Sequence, residues 1–304
     1  GNTVLGTDRG VQATSAGHLK DFRRQHYTAD RMVLVGAGAV DHNALEKLAQ
    51  SNFGNFSRGP ARYDVESRFV GGDIRLWNLR YKTCHMLWAF ETCGSTCGDV
   101  VPLTLATHIH GGYHRSQHEL GQHAIHRVLK TYSSIDHGTP TQTHFPEQCC
   151  EVANPFIKTY TDTGLCGMYV VGRPWKTDAG HSADSMQELL QYTMMDWVRL
   201  SQKTVYQQEL EQAKLNYKTQ LLFNMDGTSN TAQDIGKQVL QLGRRVPLEE
   251  MYARIDDVTP TNVMEVLHHY YFARKPAVSL SGNIYIIPAY DWIAQMTFKT
   301  ITMH

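Results

Sequence analysis

Excess charge of either sign is missing from this sequence: 29 Lys and Arg residues balance 29 Asp and Glu residues. No net field draws the chain to a phosphate backbone or an anionic bilayer, so nucleic acid is not expected as a partner. Long hydrophobic runs are missing too. The longest, at 32–40 and 168–172, fall far short of the roughly 20 apolar residues that cross a bilayer, so any membrane association is expected to come through partners. Cysteine is sparse, six in 304 residues, and lacks the spacing of a small disulfide-stapled domain, which fits a reducing compartment. The first residues, GNTVLG, have neither an apolar signal core nor an Arg-rich amphipathic presequence. The start therefore reads as internal, with any targeting information cleaved or upstream.

What is present is a hydrophobic content of 41%, enough for a substantial core and two domains of ordinary size. Helical spacing of Leu19, Phe22 and Tyr27 predicts a helix over 16–27, and a second helix is expected at 42–53 with Asp41 as its cap. Between them, the apolar run 31–38 reads as a strand. A polar stretch around Ser57, Arg58, Gly59, Pro60 and Ala61 reads as a linker. After it, strands are expected at 68–79 and 84–91, and helices at 101–110 and 118–132. A long irregular loop is expected over 133–155, which carries Gly138, Pro140, Pro146 and Pro155. A strand pair turning at Gly164 then spans 158–171. The remainder reads as helices at 182–200, 206–225, 231–242, 248–255 and 262–271, with a closing strand at 277–282.

Self-comparison adds a repeat, because a gapless shift of 244 positions superimposes one helix-strand unit on another. Leu19 falls on Val263, Phe22 on Val266, Tyr27 on Tyr271, Arg31 on Lys275, Val33 and Leu34 on Ala277 and Val278, and Gly38 on Gly282. The caps Ser15 and Thr259 also coincide. Residues 1–57 are thus expected to be the C-terminal remnant of a first domain, 58–67 a linker, and 68–304 a second, more complete copy.

The run Thr159-Tyr-Thr-Asp-Thr-Gly-Leu-Cys-Gly-Met-Tyr169 is followed by Glu209-Leu-Glu-Gln-Ala-Lys214, Asp226-Gly-Thr228, Asp234-Ile-Gly-Lys-Gln238 and Gly243-Arg-Arg-Val-Pro247. With Ala253-Arg-Ile-Asp256 and Lys275-Pro-Ala-Val278, this ordered string resembles the β-type mitochondrial processing peptidase and complex III core protein family, of pitrilysin-type metallopeptidase fold. The resemblance implies an α+β protein of two homologous mixed sheet-plus-helix half-domains, the first one truncated. It implies a core subunit with a structural role on the matrix side of the inner membrane. Its partners would be a homologous α-type subunit and other complex III subunits, including the cytochrome b and cytochrome c1 subunits. The alternative is the β subunit of the zinc endopeptidase that cleaves presequences, with presequence peptides as substrate. In the family, zinc is held in the first half by a His-x-x-Glu-His helix and a later Glu; these would precede Gly1, so no metal or cofactor is expected in this chain. Tyr160 would donate a hydrogen bond to the scissile carbonyl, against the plainer reading of a packed interface tyrosine. Asp162 reads as structural. Cys166 stands where the family commonly has Trp, and the region 108–132 departs from the family's pattern.

The remaining motifs favour plain readings. His114 and His118, four apart, lack the carboxylate a zinc hydrolase needs, since Gln117 cannot accept a proton. His108, His110, His123 and His126 would join them only if the fold brought them together. Cys93 and Cys97 have three residues between them, not the two of a common redox or zinc knuckle, and Cys149 and Cys150 are adjacent; ordinary reduced thiols are expected. The turn at Gly36 and Gly38 imitates a dinucleotide site, but Asp41 competes with phosphate for the same amides. Arg244 and Arg245 follow Gly243 at a helix end, where cations are favoured. Met194, Met195 and Trp197 read as core or interface.

Overall fold

The computed structural model describes residues 5–59, 66–78, 80–116, 125, 129, 149–173, 184–284 and 287–298. The expected helix at 118–132, most of the loop at 133–155, and His118, His123 and His126 therefore lie outside the described residues. The chain divides into two compact units, one formed by 1–66 and 223–246, the other by 67–222 and 247–304.

In the first unit, α1 (Asp8–Ala13), α2 (Ala16–His26) and α3 (His42–Phe53) precede α7 (Thr228–Leu242). Asp41 caps α3 as its side chain suggests, its Oδ1 accepting from the Asn43 and Ala44 amides at 2.8 and 3.2 Å. That occupies the amides a phosphate would need. The expected strand at 31–38 does not form. Beyond a short 3-10 turn at Ala29–Arg31 the backbone is extended but unpaired, and a strand exists only where a neighbour takes its N–H and C=O groups. Close approach of backbone to helix holds the segment instead: a Cβ on Gly38, whose φ is +106°, would lie 3.0 Å from Thr228 Cγ2, and one on Gly236 would lie 3.6 Å from Val35. Thr28 and Val246 are the only buried residues of this unit among those described.

The second unit is a sheet covered by helices. Its strands are β1 (Gly72–Trp77), β2 (Cys84–Cys93), β3 (Tyr113–His114), β4 (Cys150–Thr159), β5 (Thr163–Gly172) and β6 (Ala277–Gly282). They lie in the order β1-β6-β2-β5-β4-β3, with β1 and β6 parallel and every other pair antiparallel. Two sequence expectations are corrected here. Pro155 is inside β4, opposite Met168, because β3 reaches only as far as Ala153 and leaves that stretch of β4 at the sheet edge, where a missing N–H is harmless. Gly164 pairs with Thr159 inside the ladder, so the turn is at 160–162.

The helices are α4 (Val100–His110), α5 (Asp184–Gln202), α6 (Gln207–Asn224), α8 (Leu248–Asp256), α9 (Pro260–Tyr271) and α10 (Tyr290–Gln295). Alternation along β2 buries Cys84, Met86, Trp88 and Phe90. Trp88 meets Trp197 of α5 and Tyr271 of α9 edge-on at 5.8 and 6.3 Å, and Trp197 stacks on Tyr271 at 4.9 Å. These aromatics clamp two helices to the sheet centre. Mixed α+β architecture, with one mixed sheet and ten α-helices among the described residues, is what the patterning predicts.

The match at a shift of 244 positions has a local structural counterpart. Ser15 Oγ accepts from the His18 amide and His18 Nδ1 from the Ser15 amide; Thr259 and Asn262, 244 positions on, make the same reciprocal box. Gly38 and Gly282 also share positive φ, +106° and +101°.

Candidate functional site

At one end of the sheet in the second unit, two turns are tied by their backbones. The Tyr160 amide donates to Thr163 O (2.8 Å), and Tyr160 O accepts from the Ser95 amide (2.7 Å) in the turn between β2 and α4. Gly94 is required there, because a Cβ would lie 2.5 Å from Thr161 O. Asp162 Oδ2 accepts from the Ser67 amide at 2.7 Å, and that bond holds its carboxyl below the ordinary value; the residue is structural, as expected. The backbone of Tyr160 does the tying, while its side chain stands 52% exposed. It is no core tyrosine of this unit, and its phenol is presented at the hairpin tip.

Beside these turns, Cys93 ends β2, Cys97 lies in the turn, and Asp99 precedes α4. Their donor atoms all lie within 4.8 Å of one another. Spacing arguments missed Asp99 because they looked for a Cys-x-x-Cys pair; a carboxylate two residues past the second thiol was the available signal. A cavity of about 610 Å³ lies in the same unit, with Glu91, Thr92, His269, Tyr270, Arg274 and Lys275 in its wall.

The described histidines do not converge. His110 Nδ1 lies 2.6 Å from Asp196 Oδ2 in the core, with the Arg199 Nε 3.0 Å from Asp196 Oδ1. Burial alone would raise the Asp196 carboxyl, but His110 and then Arg199 outweigh it and hold it below the ordinary value. His108 rests against the Tyr217 ring, and His114 contacts Ser116. Cys84, Cys149, Cys150 and Cys166 are buried and reduced, and burial pushes Cys84 and Cys166 up to about 12. Gly243 ends α7 in the left-handed region at φ +71°, ahead of Arg244 and Arg245. Met194 and Trp197 are buried in the core.

Zinc in the family's manner requires a His-x-x-Glu-His run, and none occurs in the 304 residues. The described histidines do not substitute for it: His85, His110 and His114 are paired with Tyr169, Asp196 and Ser116 respectively. The residues present do not fit zinc bound in that manner.

Comparison with known proteins gives a consistent result. The family model described as the peptidase M16 inactive domain matches residues 14–217. The mitochondrial-processing peptidase subunit beta of Blastocladiella emersonii is 32% identical over 301 residues, covering 96% of this chain and 58% of that protein. The ubiquinol-cytochrome-c reductase complex core protein I of Euglena gracilis is 33% identical over 273 residues, covering 88% of this chain and 53% of that protein. A chain of Complex III2 from Candida albicans, in its Inz-5-bound structure, shares the fold with a TM-score of 0.83 at 19% identity, over 97% of this chain and 66% of its own. The chain thus spans a little over half the length of these curated relatives. On a family match covering most of its residues, the chain belongs to the M16 peptidase family, through its inactive domain.

Proposed function

We propose that the protein is a β-type core subunit of mitochondrial respiratory complex III, with a structural role on the matrix side of the inner membrane. It pairs with a homologous α-type subunit and contacts other subunits of the complex, including the cytochrome b and cytochrome c1 subunits. Residues 1–57 are then the tail of a first half-domain, 58–67 the joint, and 68–304 the second, non-catalytic half-domain. The paired capping boxes and the two positive-φ glycines, each 244 positions apart, support that duplication.

One observation carries the reading, the 33% identity to a complex III core protein I over 88% of the chain, and the exposed apolar surface of the first unit accords with it. Leu19, Phe22, Leu34, Leu48, Phe223 and Leu240 are each more than half exposed, Phe223 at 72%. Apolar residues in that number belong against other polypeptide, the rest of the first half-domain or a partner subunit. Affinity purification of the endogenous protein from detergent-solubilised mitochondria tests the reading. Recovery of cytochrome b and cytochrome c1 with ubiquinol-cytochrome c reductase activity supports it; recovery of an α-type partner alone contradicts it.

Similarity to a processing peptidase β subunit over nearly the whole chain supports a second reading, the β subunit of the presequence-cleaving zinc endopeptidase. Zinc would then be held by a preceding segment, and the exposed phenol of Tyr160 would donate to the scissile carbonyl as charge develops on its oxygen. The same purified material, assayed on a presequence peptide with and without chelator, separates the two readings.

A further inference from the structure

We propose that Cys93, Cys97 and Asp99 form a binding site for one thiophilic divalent cation of the zinc class. This departs from the sequence expectation of ordinary thiols and no metal in this chain. Two sulfurs and a carboxylate oxygen lie within 4.8 Å of one another, so small side-chain rotations bring all three onto one ion. Sulfur with carboxylate is a donor set that tetrahedral zinc accepts, with the fourth position left to water.

Three features make the arrangement a site. Asp99 occupies the N-cap position of α4 but makes no side-chain capping bond, although Asp there normally accepts from the helix amides. Its carboxylate is instead held from the side by the Tyr270 hydroxyl, which donates to Oδ2 at 3.0 Å and leaves Oδ1 to a ligand. Such a bond to a ligating carboxylate orients it toward the metal. The turn carrying the thiols is fixed: the Cys97 amide donates to Gly94 O at 3.1 Å, the Ser95 amide is bonded to Tyr160 O, and Gly94 has no room for a side chain. The third feature is access. Cys93 is half-buried and Cys97 exposed, which gives a cation a path that the four buried thiols do not offer.

Cobalt(II) reports the coordination directly. The untagged full chain, reduced and freed of metal, is titrated anaerobically with cobalt and then with zinc. A thiolate-to-cobalt charge-transfer band that saturates at one equivalent and is displaced by zinc is expected. Cys97→Ser, at an exposed position, should keep the circular dichroism of the parent and lose the band; Asp99→Asn should keep the band but weaken affinity at least about tenfold. The proposal is overturned if the band is absent from the parent, or if it persists in the Cys93→Ser/Cys97→Ser double variant, which would mean an adventitious ion on other groups. It is equally overturned if Cys93 and Cys97 close into a disulfide in place of binding when glutathione disulfide and zinc are offered together.

Discussion

Asp196 is a buried carboxylate of the core. It is buried against His110 and Arg199, and removing one member of such a group leaves the others unpaired. Asp196→Ala should lower the free energy of unfolding by about 3–5 kcal/mol, read from denaturant titration. The sign with pH follows from the lowered folded value. Below the ordinary 3.8, the unfolded chain takes up the proton first, so the contribution is full above that value and is lost as pH falls through the folded one. The gap between parent and variant should therefore be widest above about pH 5 and shrink toward pH 3. Tyr160→Phe is the contrasting case. Its structural bonds are made by the backbone, so stability should change by less than about 0.5 kcal/mol, while presequence cleavage falls only if the peptidase reading holds. At this scale the sequence was partly legible. Asp41 was readable as a cap because capping is local chemistry, whereas Asp196 and Asp99 acquire their roles from His110 and Tyr270, at 86 and 171 positions' remove.

Among the elements, those whose cause is local follow the sequence closely. The helix at 42–53 and the strand at 277–282 form with the boundaries that periodicity and caps suggest. Elements whose cause is a neighbour do not: 31–38 lacks a pairing strand among the described residues, and Pro155 is admitted to β4 by a short β3. Two substitutions separate these causes. Asp41→Ala removes two cap bonds from an exposed helix start and should cost about 1 kcal/mol. Gly282→Ala places a Cβ against Thr83 O at a backbone φ of +101° and should cost more, about 2–4 kcal/mol. Thermal unfolding of the two variants beside the parent checks the ordering.

For the whole molecule, the uneven distribution of buried residues between the two units has a dynamic consequence. Regions with few buried apolar contacts open at lower free energy than a packed sheet. Amides of α2 and α3 should exchange hydrogen faster than those of β2 and β5, where Met86, Trp88, Met168 and Val170 are buried. If the protein assembles as proposed, the first unit should become protected as its exposed apolar side chains are covered. The proposed assembly was not readable from composition or periodicity, which describe one chain; it rests on the family resemblance, with which the exposed apolar side chains accord. The most direct test is native electrophoresis of solubilised inner membranes with peptide mass spectrometry of each fraction. Peptides of this chain should co-migrate with cytochrome b and cytochrome c1 in proportion to them; their confinement to fractions free of both cytochromes would contradict the account.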